Sequence, residues 1–463
     1  MRAFRNSLLF LWLAVLPARA DVPAVRQTAL HRITPDAYGL TVPRDKAMWE
    51  RVAFPAAKKL IGQMKPFSPA ATAMQTDILL STAQPPAFTP PFEWLNARMA
   101  KLFDWGLFKE VAQLGEKIPP TVRSAAQNGV IVNALLLTDF QKACAFDADN
   151  TEKIRLICSA LNGDEDETFR QIEIVREQAD DDFTVKAAEA FVSGASFTAL
   201  PPALSPLNIA VLRLAGIDFS EKVSERSPLW VQKAFVETAG IPAEKRLPFA
   251  ERLAQKGLLS PAVLKRLYDD AEFLTGDLKT DFENAEKRGV AAAFALAEKD
   301  RWAALEPSIE NLADSAWVVK GLTAAGLSAK AQDWFDKAEI LHPDSPTVEN
   351  GWFYTELEPK DEHYFSFRLK PMIDRDTSAE RLDDIMAVFL ALDLLPNGEY
   401  WNLSAREMPE ALSLDGTAVE NELNALAALT KGRDGVLQSL QALKRLGFGK
   451  EALRIAVEAD ILP

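Results

Sequence analysis

Cysteine and histidine are scarce in this sequence, and their scarcity argues against most metal and thiol chemistry. The 463 residues include only Cys144, Cys158, His31, His342 and His363. A structural zinc site needs four Cys or His ligands in close pairs, and a catalytic thiol needs a nearby histidine. The spacing of these five residues meets neither requirement, so the sequence predicts no metal site and no cofactor.

Common catalytic motifs are also missing. The sequence contains neither of the phosphate-binding patterns GxxxxGK[ST] and GxGxxG, and it lacks the hydrolase patterns GxSxG, SxxK and HExxH. The acidic clusters 147–150, 164–167 and 180–182 do not follow the order of a calcium-binding EF-hand loop. Because carboxylates stabilise the N-termini of helices, we interpret these clusters as solvated turns or helix starts.

A long apolar run occurs only at the N-terminus. Residues 1–20 combine the basic residues Arg2 and Arg5, the apolar core Ser7–Leu16 and a small-x-small motif that ends at Ala20. This pattern is typical of a secretory signal peptide, and its apolar core is about half as long as a membrane-spanning helix requires. We expect cleavage between Ala20 and Asp21 and export to the periplasm of a Gram-negative-like cell. The alternative is a short buried helix.

The excess of acidic residues excludes nucleic acid as a partner. The chain has 52 Lys and Arg residues against 66 Asp and Glu residues, a formal charge of −14. Removal of residues 1–20 deletes three arginines and no acidic residue, which leaves −17. Nucleic-acid binding depends on cations that neutralise phosphates, and anionic membrane surfaces are disfavoured for the same reason. After Asp21 no apolar window approaches the ~18 residues of a membrane span.

The two cysteines are predicted to form a disulfide within one helical hairpin. Val130–Phe146 and Thr151–Leu161 carry apolar residues at helical spacing, with a short turn between them. Cys144 and Cys158 lie seven residues on either side of Thr151, so antiparallel helices bring them close together. An oxidising compartment favours the bond. The alternatives are two separate buried thiols and, behind them, a reactive or metal-binding cysteine.

The same pattern of helix, tight turn and alanine-rich helix recurs along the chain, while strand patterns are almost absent. Small residues let helices approach closely, and glycine at a turn permits the positive φ that ends a helix. We therefore predict an all-α protein, an irregular solenoid of stacked helical hairpins. The hairpin turns are predicted near Gly106, Thr138, Gly163, Gly257, Gly326, Gly432 and Gly447.

One stretch resembles the second half of a tetratricopeptide repeat. In residues 326–343, GLSAKAQDWFDKAEILHP, the turn glycine is Gly326, the small packing positions are Ala331 and Ala338, the aromatic is Phe335, and the closing proline is Pro343. In the first half, residues 317 and 321 carry the expected Trp and Gly but are displaced by about two positions. The C-terminal residues 447–459 repeat part of the spacing. The resemblance implies stacked helical hairpins and no particular chemistry.

Domain boundaries follow from changes in composition. We predict a signal peptide at 1–20, an extended lead-in at 21–45, an N-terminal helical-repeat half at 46–270 and a C-terminal helical-repeat half at 271–463.

The segment 334–401 is rich in aromatic residues and carboxylates. Aromatic rings beside carboxylates are typical of a sugar-binding groove or a glycosidase. The alternative is that these aromatic residues fill the core where helix pairs meet, and we favour this alternative. The candidate binding residues are Trp334, Trp352, Tyr354, Tyr364, Tyr400 and Trp401.

The expected function is an exported, soluble scaffold that binds a protein partner or a cell-envelope component, because helical repeats present extended binding surfaces. The first alternative is an enzyme that acts on cell-wall glycan, either a glycosidase or a lytic-transglycosylase-like protein, through carboxylates in segment 334–401. The second alternative is a purely structural periplasmic component. The catalytic domain of soluble lytic transglycosylases carries a Glu-Ser motif that this sequence lacks. No catalytic residue, partner identity, oligomeric state or pathway follows from the sequence.

Overall fold

The computed structural model describes residues 35–43, 45–146, 151–178, 182–355, 386–394 and 408–459. The predicted signal peptide, its Ala20–Asp21 cleavage site and most of the lead-in lie outside these ranges. Across the described residues the chain is helical and contains no β-strand, only two isolated bridges. The all-α prediction is confirmed.

Twenty-four α-helical segments, joined by turns and loops, occur in the described ranges. In chain order they are α1 Phe54–Gln63, α2 Pro69–Leu80, α3 Glu93–Asp104, α4 Phe108–Lys117, α5 Ala125–Thr138, α6 Phe140–Ala145, α7 Glu152–Leu161, α8 Glu165–Gln178, α9 Asp182–Ser193, α10 Pro206–Leu214, α11 Leu229–Val236, α12 Ala243–Gln255, α13 Pro261–Asp270, α14 Leu278–Lys287, α15 Ala291–Ala297, α16 Lys299–Ala304, α17 Ile309–Leu312, α18 Ala316–Ala324, α19 Ser328–Leu341, α20 Pro346–Thr355, α21 386–391, α22 Ala418–Ala428, α23 Gly432–Arg445 and α24 Gly449–Glu458.

Consecutive helices pack as hairpins, and each of the seven predicted turns lies at a helix end. The hairpin of α18 and α19 shows why. Gly326 adopts φ +73° between the two helices, a backbone conformation that side chains disfavour. On α19, Ala331, Phe335 and Ala338 are fully buried. The positions that resemble a tetratricopeptide repeat are therefore core positions.

A glycine also lets α18 approach helix α16. A Cβ atom built on Gly321 would lie 2.0 Å from the ring of Trp302, so only a residue without a side chain fits. Trp302 is fully buried and packs edge-on against Phe282 at 5.1 Å between ring centroids. This close packing of an aromatic ring onto a helix backbone fixes the position of α18.

The hairpin of α6 and α7 contains the predicted disulfide. Cys144 and Cys158 are bonded, with their Cα atoms 5.7 Å apart. Helix α6 is only six residues long and buries a single side chain, Ala143. The covalent bond therefore ties a short, weakly packed helix to its better-packed neighbour. The prediction of a structural bridge is confirmed.

The last helix contacts the first helices of the unit that begins at Pro35. Helix α24 packs against α2 and also against α15 and α18. The Glu458 carboxylate accepts a hydrogen bond from the Ala70 backbone N–H at 2.7 Å, across 388 residues of sequence. We call the meeting point of α2, α12, α15 and α24 the helix junction. In an open solenoid each repeat contacts only its neighbours, so the predicted solenoid arrangement is not confirmed.

Polar contacts hold the helix junction together. The Gln255 side chain on α12 donates to the Glu458 backbone carbonyl at 2.9 Å and accepts from the Ala293 backbone N–H at 3.1 Å. The Thr72 hydroxyl on α2 donates to the carbonyl of Lys256 at 2.7 Å. Each bond satisfies a polar group that is partly shielded from water, which makes the junction specific as well as closely packed.

Candidate functional site: a cavity beside the helix junction

The described aromatic candidates are packing residues. Trp334 and Trp352 are each 1% exposed and Tyr354 is 4% exposed. The Trp334 indole donates to the Ser315 hydroxyl at 2.7 Å, and the Trp352 ring stacks on Phe389 at 5.3 Å. These three side chains therefore present no face to a ligand. The other three candidates, Tyr364, Tyr400 and Trp401, lie outside the described residues.

The acidic cluster at 164–167 forms the start of α8. The Asp164 carboxylate accepts from the backbone N–H of Glu167 at 3.0 Å, as a residue at a helix start does. Within the described ranges no group of three His, Cys, Asp or Glu side chains is placed to hold a metal ion. No helix in those ranges has both the length and the apolar character of a membrane span.

A cavity of about 470 Å³ lies beside the helix junction. Its wall comes from the α3–α4 turn, α11, the α12–α13 turn, α15 and α24, which are far apart in sequence. Leu107, Phe108, Leu258 and Leu259 supply much of the apolar lining. Small-molecule sites in proteins are clefts of roughly 300–1,000 Å³ with mostly apolar walls and a few polar groups. This cavity has the volume of such a site, and its wall is about as polar as it is apolar.

Lys233 is the buried charge in this cavity. It lies on α11 and is 9% exposed. Its ammonium donates to the Leu258 carbonyl, and the nearest carboxylate, that of Glu237, is 3.9 Å away. That distance is too long for a hydrogen bond. An ammonium has three N–H donors, so two of those of Lys233 have no acceptor within hydrogen-bond distance in the described part of the chain.

The Lys233 stem passes directly over Gly106. A Cβ atom built on Gly106 would lie 2.7 Å from the Lys233 Cβ atom, and Gly106 has φ +75°. Any other residue at this turn would displace the lysine and strain the backbone. The α3–α4 turn therefore fixes the position of Lys233 in the cavity wall.

Burial lowers the pKa of Lys233 below its ordinary value, because the charged form loses hydration. The carboxylates of Glu237 and Glu110 oppose this effect, and the ammonium of Lys109 adds to it. At the other side of the cavity, Arg454 is paired with Glu458 at 2.8 Å. Among the described lining residues, the Lys233 ammonium is thus buried with one hydrogen bond and a distant carboxylate.

The N-terminal turn of α4 brings further donors to the cavity wall. No side chain caps this helix. In the described part of the chain the backbone N–H groups of Phe108, Lys109 and Glu110 have no acceptor. The Ser260 hydroxyl, at the start of α13, makes no capping bond either. Helix N-termini favour negative charge, so these backbone N–H groups can bind an acceptor, although the carboxylates of Glu110 and Glu237 also line the wall.

Sequence reasoning missed this site. Lys233 lies within the apolar stretch LWVQKAFV, and one lysine among apolar residues is the available signal. Gly106, which it packs against, lies more than a hundred residues earlier in the chain, and Leu258, which accepts its hydrogen bond, lies 25 residues later. No motif links these positions. The approach of the three segments is a property of the fold.

An exposed apolar patch lies on another part of the protein. Ile309 on α17 and Ile340 and Leu341 at the end of α19 are 69%, 77% and 49% exposed. The segments that carry them are close, because α17 packs against α19 and the His342 ring contacts the Ile309 carbonyl at 3.0 Å. We call these three side chains the α17–α19 patch. Glu310 follows Ile309 in the chain, and Lys337 precedes Ile340 and Leu341 by about one helical turn.

The comparisons with known proteins give no relative. No family model matches the sequence, and neither a curated protein nor a solved structure matches the chain.

Proposed function

We propose that this chain is an exported helical-repeat scaffold that binds a protein partner. The α17–α19 patch carries the proposal. Exposed apolar side chains beside charged residues are typical of protein interaction sites. Two of the three patch residues, Ile340 and Leu341, end the helix that resembles the second half of a tetratricopeptide repeat. Burial of Ile309, Ile340 and Leu341 against a partner would remove apolar surface from water, which favours association.

The proposed arrangement is an irregular, tetratricopeptide-like stack of hairpins whose last helix returns to α2. Its support is the packing of α18, α19 and α20 against one another, with small residues at their crossings. Export is supported by the signal-peptide pattern of residues 1–20 and by the disulfide, since disulfides persist in oxidising compartments. The glycan-acting enzyme has no observation in its favour among the described residues.

Site-specific photocrosslinking in cells tests the proposal. A photoreactive amino acid at position 340 probes the patch, and the same residue at position 186 is the control, because Lys186 is an exposed residue of α9. We expect one reproducible protein adduct from position 340 and none from position 186. Adducts of peptidoglycan fragments alone, or identical adducts from both positions, would contradict a protein partner at this patch.

A charge variant gives a second readout of the same patch. Ile340→Glu places a carboxylate in the apolar surface, and burial of that charge against a partner is costly. We expect the adduct, formed from a photoreactive residue at position 341, to decrease about tenfold or more. An undiminished adduct would mean that the partner does not bury position 340.

A further inference from the structure

We propose that the cavity beside the helix junction binds a small molecule with one carboxylate and an apolar body. This site is separate from the α17–α19 patch, and the inference does not depend on the proposed scaffold function. It rests on the shape of the cavity and on which of its polar groups lack partners.

The hydrogen-bond donors in the cavity wall favour a ligand that supplies acceptors. Lys233 has two N–H donors without an acceptor, and the N-terminal turn of α4 adds three backbone donors within the described structure. The Lys233 ammonium is buried, and a buried donor without a partner costs free energy, so a ligand that supplies oxygen acceptors removes that cost. A carboxylate provides two oxygens and about four acceptor sites, so it can engage the ammonium and the backbone at once.

The remaining wall determines the body of the ligand. Leu107, Phe108, Leu258 and Leu259 are apolar, and Leu258 and Leu259 are buried. A highly charged or strongly hydrated ligand would lose hydration against these side chains without compensation. A hydrocarbon body instead removes apolar surface from water. The carboxylates of Glu110 and Glu237 also lie at the wall, which disfavours a ligand with several negative charges.

Calorimetric titration of the purified chain tests the inference. The probes are straight-chain carboxylates from butyrate to decanoate, and the matched controls are the neutral amides of the same length. We expect at least one carboxylate to bind and its amide to bind about tenfold more weakly or worse, since hydrogen bonds between charged groups are the stronger ones. Failure of every carboxylate, or equal affinity of acid and amide, would overturn the proposal.

Variants locate the site. Lys233→Met keeps most of the stem and removes the ammonium, so carboxylate affinity should fall about tenfold or more. Lys186→Met makes the same change on the exposed surface of α9 and should leave the affinity unchanged. Val263→Trp narrows the cavity without touching a charge and should also weaken binding. Wild-type affinity in both Lys233→Met and Val263→Trp would place the ligand elsewhere and overturn the assignment.

Discussion

The α6–α7 hairpin and the helix junction hold the chain by different means. Cys144 and Cys158 are 14 residues apart and are joined by a covalent bond, although α6 buries only Ala143. Glu458 and Ala70 are 388 residues apart, and a buried carboxylate joins them without a covalent bond. A short loop closes at a small entropic cost, so one bond suffices in the hairpin. A distant contact needs many buried groups that act together.

Removal of the disulfide should produce the larger loss of stability. The bond closes a loop of about fifteen residues, and its loss in Cys144→Ala/Cys158→Ala should lower the free energy of unfolding by about 3 kcal/mol by the loop-entropy account. Urea unfolding of the variant and of the oxidised wild type measures the difference.

Reductant provides the control for the hairpin. Dithiothreitol should shift the unfolding midpoint of the wild type and leave that of the double variant in place. Equal midpoints for the variant and the oxidised wild type would mean that packing, and not the bond, holds α6 on α7.

Removal of the Glu458 carboxylate should weaken the junction by less. Glu458→Ala removes the carboxylate that accepts the Ala70 N–H bond and that forms an ion pair with Arg454. Charged hydrogen bonds contribute about 1.5–3 kcal/mol, so we expect a loss of about 2 kcal/mol. The same urea titration measures it.

Glu458→Gln is the matched control, because its side-chain carbonyl can still accept from Ala70. Burial raises the pKa of Glu458, which means that the charge itself is unfavourable in the folded state. The glutamine variant should therefore lose less stability than the alanine variant. If both variants lose the same amount, the contact with the N-terminus of α2 depends on charge and not on the acceptor oxygen.

The same contrast explains what the sequence could predict. The disulfide, the glycine turns and the buried positions Ala331, Phe335 and Ala338 depend on spacing within one hairpin, and helical periodicity predicts them. The pairing of Glu458 with Ala70 and the approach of Lys233 to Gly106 depend on which helices meet. Local periodicity contains no information about such distant contacts, so neither the junction nor the cavity was predicted.

The aromatic segment shows a second limit of sequence reasoning. Composition alone cannot distinguish a groove from a core, because both use Trp and Tyr. Trp334 and Trp352 are buried in the structure, as the core-packing interpretation of the segment expects. What separates the two interpretations is burial, which depends on the helices that pack around each ring.

Of these variants, Lys233→Met should change the free energy of unfolding least. It should stabilise the folded protein, whereas the other variants destabilise it. Burial lowers the folded-state pKa of Lys233 below its unfolded value of about 10.4, so at neutral pH the buried charge destabilises the folded state. Replacement of a buried ion by an apolar side chain is often neutral or stabilising, and we expect a gain of about 1 kcal/mol in the free energy of unfolding.

The stability of the wild type should depend on pH. Between the folded and unfolded pKa values of Lys233, the unfolded wild type binds more protons than the folded protein, so wild-type stability rises with pH in that range. The advantage of the variant should therefore shrink as the pH approaches about 10.4, and urea unfolding at pH 7 and at higher pH measures this. A variant that is less stable than the wild type at pH 7 would show that the Leu258 hydrogen bond and Glu237 outweigh the burial of the charge.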